Sequence, residues 1–70
     1  MDRLPVVSSN LKSVGYEPSG AVLEIEFQSR WIYQYFNVPG RVYQELMSAP
    51  SKGRYHHWFI RDRYRYTRVV

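Results

Sequence analysis

Apolar and polar residues alternate along residues 21–27, where Leu23, Ile25 and Phe27 fall on one face and Glu24 and Glu26 on the other. That period of two predicts a half-buried strand. Upstream, Ser9 to Tyr16 reads as another strand, and Glu17-Pro18-Ser19-Gly20 is a turn signal between the two. Downstream, the aromatic and branched run Trp31 to Phe36 fits a third strand. Residues 1–8 read as an irregular arm. Three antiparallel strands joined in order are the simplest sheet.

The hairpin at Gln28-Ser29-Arg30 admits two registers. A two-residue turn at Ser29-Arg30 places Trp31, Tyr33 and Tyr35 on the face of Glu24 and Glu26. A three-residue loop places them with Leu23, Ile25 and Phe27, because one step turns every side chain over. Both registers stay open, with a slight preference for the two-residue turn. Under that preference, Glu24 and Glu26 would repel phosphate from the three rings, and core packing is the role assigned to them.

The period then changes. Val38, Val42, Leu46 and Ala49 form a stripe, with Arg41, Gln44, Glu45 and Ser48 facing away. Pro39 suits a helix start and Pro50 a stop, which predicts a short amphipathic helix over Pro39 to Ser48. Ser51 can cap a second helical segment with Tyr55, Trp58 and Phe59 at helical spacing. From Arg61 the pattern becomes Arg61-Asp62-Arg63-Tyr64-Arg65-Tyr66-Thr67-Arg68. Its alternation favours a strand, although Arg61, Arg65 and Arg68 would also share a helical face. The expectation is an α+β fold: a small antiparallel three-stranded meander packed by one or two short helices, with a tail able to add a C-terminal strand.

Composition narrows what such a domain can be. Seventy residues make one domain, and no cysteine is present to staple it. Seven Tyr, three Phe and two Trp can fill a core too small for many aliphatic residues. No apolar run is long enough for a signal peptide or a membrane span, so the chain is expected in the cytoplasm, with no membrane partner.

Charge is segregated. Residues 1–50 carry four cations against five acids, whereas residues 51–70 carry six cations against Asp62 alone. Five of those six are arginine, which suits bidentate phosphate contacts. The candidate partner-binding residues are therefore Arg54, Arg61, Arg63, Tyr64, Arg65, Tyr66 and Arg68, where arginines would neutralise phosphates and tyrosines stack on unpaired bases. On a strand, Arg61, Arg63 and Arg65 would share one face, spaced about 6–7 Å apart. The competing explanation is an edge strand that packs its tyrosines inward and uses arginine against aggregation.

The ordered set Ser13-Val14-Gly15-Tyr16, Ile32-Tyr33-x-Tyr35-Phe36-x-Val38-Pro39, Val42-Tyr43-x-x-Leu46, Ala49-x-Ser51-x-Gly53-x-Tyr55 and Ile60-Arg61-x-x-Tyr64-x-Tyr66 resembles the KTSC domain. That family is named for its place at the C-terminus of some lysyl-tRNA synthetases. The resemblance covers about residues 8–68 and makes 9–70 one KTSC-like domain. It departs at Arg30, where the family tends to have a hairpin glycine. It implies a compact module, found alone or appended to larger proteins, and suggests RNA or a tRNA-related complex as partner.

Catalysis finds little support. His56 and His57 are adjacent, so on a helix they point about 100° apart and poorly share a metal. Ser51, His57 and Asp62 lie too close in sequence to form an oriented triad easily. Ser51-Lys52-Gly53 lacks the glycine-rich loop of a phosphate cradle. The expected function is a non-catalytic accessory module without cofactor, binding RNA or another polyanion through its C-terminal face. The alternative is a protein-interaction or self-association module, including a homodimer.

Overall fold

The computed structural model describes all 70 residues, Met1–Val70. Five strands, β1 (Leu4–Pro5), β2 (Leu11–Glu17), β3 (Val22–Phe27), β4 (Ile32–Tyr35) and β5 (Tyr66–Arg68), form one antiparallel sheet in sequence order. Helices α1 (Gly40–Ser48) and α2 (Lys52–Phe59) are inserted between β4 and β5. Neither is long and apolar enough to cross a membrane.

The core lies between the helices and one face of the sheet. Leu11, Val14, Leu23, Ile25 and Tyr35 from the strands meet Val38, Val42, Leu46 and Ile60. In β2 the apolar residues do not alternate strictly. The register shifts between Leu11 and Ser13, leaving Lys12 as the extra residue of a bulge, so that Leu11 and Val14 both face inward. Val42 and Leu46 are the buried residues of α1, as its stripe predicts. Pro39, the expected first residue, is instead the cap, one residue before the helix begins at Gly40.

The sheet has two more strands than the expected meander. The N-terminal arm supplies β1, pairing Leu4 with Val14. Gly15 makes this docking feasible, since a Cβ there would lie 2.5 Å from the Asp2 carbonyl oxygen. Docking delivers Arg3 to the sheet face away from the helices. There it pairs with Glu24, donates to Ser13 Oγ at 2.9 Å, and lies 3.8 Å from Glu26. Gln34 Nε2 donates to the other Glu24 oxygen at 2.8 Å. The two glutamates thus sit in a satisfied polar cluster.

The β3–β4 hairpin adopts the three-residue loop. Leu23 pairs with Tyr35 and Ile25 with Tyr33, so the tyrosines share the helix-side face with the apolar residues of β3. The preferred two-residue turn is therefore incorrect. Arg30 donates its backbone N–H to the Phe27 carbonyl at 2.8 Å and has φ 77°, the left-handed position that closes this loop. An L-residue can occupy it at a cost, which is why glycine suits the position better.

The tail also departs from expectation. Residues 61–63 are turns and residue 64 a bend, and only Tyr66–Arg68 pair with β4. Ile60 is fully buried, which holds the chain in the core where the Arg-Tyr alternation begins. The His56 carbonyl accepts from both Ile60 N (3.1 Å) and Arg61 N (2.9 Å), and Ile60 O from Arg63 N (3.1 Å). These bonds curl the chain before it can extend. Arg61, Arg63 and Arg65 consequently do not form one row along a strand.

Candidate functional site

The sheet's helix-side face extends beyond the core as a row of rings. Trp31, Tyr33 and Tyr35 stand side by side on β4, with centroid separations of 6.4 and 6.3 Å. From β5, Tyr66 packs on Tyr33 at 5.5 Å and on Tyr35 at 5.8 Å. Pairing of Tyr35 with Tyr66 and Tyr33 with Arg68 sets this arrangement. Burial falls along the row: Tyr35 is in the core, Tyr33 is half-buried, and Trp31 is 49% exposed.

A groove of about 280 Å³ runs over these rings. Phe27 and His56 line it together with Trp31, Tyr33, Tyr35 and Tyr66, while Asn10, Ser29 and Arg61 supply its polar border. No carboxylate is among its lining residues. Arg68 adds a second cation, with its guanidinium carbon 4.2 Å from the Trp31 ring centroid. Arg61 is exposed and only loosely engaged by Asp62 at 3.9 Å.

His56 is the buried residue of α2. Its ring meets Phe27 and Tyr35 edge-on, at 5.1 and 5.6 Å. Burial pushes its pKa down to about 4, helped by the Arg61 and His57 charges. The imidazole is thus neutral at pH 7. Its Nε2 lies 2.8 Å from the Tyr35 hydroxyl. Burial also raises the Tyr35 phenol well above its usual range, so it stays protonated and can donate to Nε2 when the imidazole proton is on Nδ1.

The structure divides the sequence-predicted residues. Arg61 and Tyr66 reach the groove, and Arg68 covers Trp31 at its end. Tyr64 is half-buried against the core, and Arg63 and Arg65 are exposed. Arg54 belongs elsewhere, to a second groove of about 310 Å³ with Pro50, Tyr55, Trp58 and Phe59. Of the three rings assigned to core packing from sequence, Tyr35 lies in the core and Tyr33 packs half-buried against it, whereas Trp31 is largely exposed at the end of the row. Glu24 and Glu26 lie on the opposite sheet face, which removes the expected repulsion of phosphate. The glycine expected at Arg30 was the signal for this register. His56 had no comparable signal, because its place in the groove depends on how α2 docks.

Comparison with known proteins agrees with this architecture. The KTSC domain family pattern matches residues 7–64. Over 61 residues the chain is 46% identical to part of the lysine–tRNA ligase of Nostoc sp., covering 87% of this chain and 11% of the ligase. A relative from Stutzerimonas stutzeri is 43% identical over 70 residues, with 99% of each chain covered. The crystal structure of a KTSC domain protein from Yersinia pestis has a TM-score of 0.96 and 40% identity, covering 99% of this chain and 97% of that one. Shared pattern, shared length and shared backbone place the chain in the KTSC domain family.

Proposed function

We propose that this domain is a non-catalytic module that binds single-stranded RNA through the aromatic groove and the arginines beside it. The observation that carries the reading is the groove itself: the aromatic rings of Trp31, Tyr33 and Tyr66 in its lining, Arg61 and Arg68 nearby, and no acid in the lining. Rings accept any base by stacking, and arginines bind phosphate with release of counterions. The lysine–tRNA ligase relatives carry the matching segment within a much longer chain, a setting that suits a tRNA-related partner.

Fluorescence anisotropy with an unstructured, labelled RNA at about 50 mM salt tests the reading, since electrostatic association is strong there. Arg61→Glu with Arg68→Glu should greatly weaken binding. Any remaining affinity should depend less on salt, by about 0.7 in the log–log slope for each phosphate that is no longer neutralised. Arg54→Glu, in the second groove, should change little. Absence of binding by the parent protein would overturn the proposal.

The second groove favours a protein-interaction reading, because Trp58 is 66% and Phe59 50% exposed beside Pro50. Trp, Tyr and Arg are common anchors of interfaces. Sedimentation over a concentration series tests self-association: a dimer that Trp58→Ser disperses would favour this reading, and a persistent monomer would exclude self-association.

A further inference from the structure

Volume and polarity restrict what the groove can hold. At about 280 Å³ it lies just below the usual range of small-molecule clefts, roughly 300–1,000 Å³. That space suits one base with its sugar rather than a run of stacked bases. A cage of aromatic rings can also recognise an organic cation. Here Arg61 borders the cage, Arg68 lies against Trp31, and no carboxylate lines it, so an anionic ligand is favoured.

A buried polar group adds direction. His56 Nε2 is engaged by Tyr35, whereas Nδ1 has no hydrogen bond within the chain. No buried side-chain nitrogen or oxygen lacks a partner, so Nδ1 must reach solvent, and His56 lines the groove. In the tautomer in which the Tyr35 hydroxyl donates to Nε2, Nδ1 carries the proton and is the imidazole's free donor. Each nucleobase has a ring nitrogen or carbonyl able to accept from it.

We infer that the groove is a single-nucleotide pocket, in which one unpaired base stacks on Trp31, Tyr33 or Tyr66, accepts a hydrogen bond from His56 Nδ1, and has its phosphate held by Arg61. The inference deepens the proposed RNA-binding reading and rests on it. It makes one nucleotide, rather than the full length of a strand, the unit of recognition.

The test follows Trp31 fluorescence in a Trp58→Phe background, leaving one reporter tryptophan. Adenosine 5′-monophosphate and uridine 5′-monophosphate should quench it saturably with one site, and each should displace labelled single-stranded RNA. Ribose 5-phosphate and inorganic phosphate should do neither, because they lack a base. Arg61→Ala should weaken mononucleotide binding by about tenfold, as loss of one charge-assisted hydrogen bond predicts, while leaving the melting curve near the parent. Proton–nitrogen NMR of the imidazole should show the largest change at His56 Nδ1. If RNA binds but neither mononucleotide competes, the pocket inference fails while the RNA reading survives. If mononucleotides bind and RNA does not, the RNA reading fails and takes with it the inference built on it, leaving a groove for free nucleotides. If neither binds, both fail.

Discussion

Replacing Arg30 by glycine should raise the melting temperature. Arg30 holds φ 77° at the end of the Phe27–Trp31 loop, a conformation that brings the Cβ of an L-residue too close to a neighbouring carbonyl oxygen. That crowding costs about 1–2 kcal/mol. Glycine removes it but broadens the unfolded ensemble, which offsets about 0.4–1 kcal/mol. The exposed arginine side chain contributes little in return, since it takes part in none of the ion pairs. The net gain lies between about 0 and 1.6 kcal/mol and centres near 0.8 kcal/mol, or roughly 3–6 °C for a domain this small. Thermal unfolding followed by circular dichroism gives the answer, with Arg30→Ala as control. Alanine removes the charge but keeps the Cβ, so its melting temperature should stay near the parent's. An equal gain from Arg30→Ala would show that charge or side-chain entropy is responsible. A fall with Arg30→Gly would refute the left-handed assignment.

Two further predictions concern stability. Leu46→Ala should cost about 2–5 kcal/mol because Leu46 is fully buried, whereas Arg41→Ala should cost about 0.5 kcal/mol or less, losing only an exposed pair with Glu45; denaturant titrations separate the two. Stability should fall as pH drops from about 6.5 towards about 4, because His56 titrates near 4 when folded and near 6.5 when unfolded. In that window the unfolded state binds more protons, so the neutral imidazole's contribution is present above 6.5 and lost through 4, on the order of 3 kcal/mol in all. Melting curves across this range should be flatter for His56→Gln, and an unchanged slope would rule out His56 as the source.

Periodicity alone was enough for β3, α1 and the inward stripe of Val38, Val42 and Leu46, since each element buries one face and its spacing records which. Ser51 likewise was legible as a helix cap, and its side chain accepts from the Arg54 backbone N–H. Charge counts located the basic tail, but not where its arginines would point. Tertiary structure decided that. Burial of Ile60 turns the chain at Arg61 and confines the last strand to Tyr66–Arg68, so Arg61 and Arg68 approach the rings from different elements. The strand β1 was illegible for a similar reason: two residues carry no period, and they join the sheet only because Gly15 lets the arm approach and Arg3 meets Glu24. The hairpin register had the greatest consequence. One loop residue decides whether Trp31 and Tyr33 face the carboxylates or the groove, and local alternation is identical in both cases. Packing against α1 and α2 breaks the tie, because Tyr35 can be buried only on the helix side, where its hydroxyl meets His56.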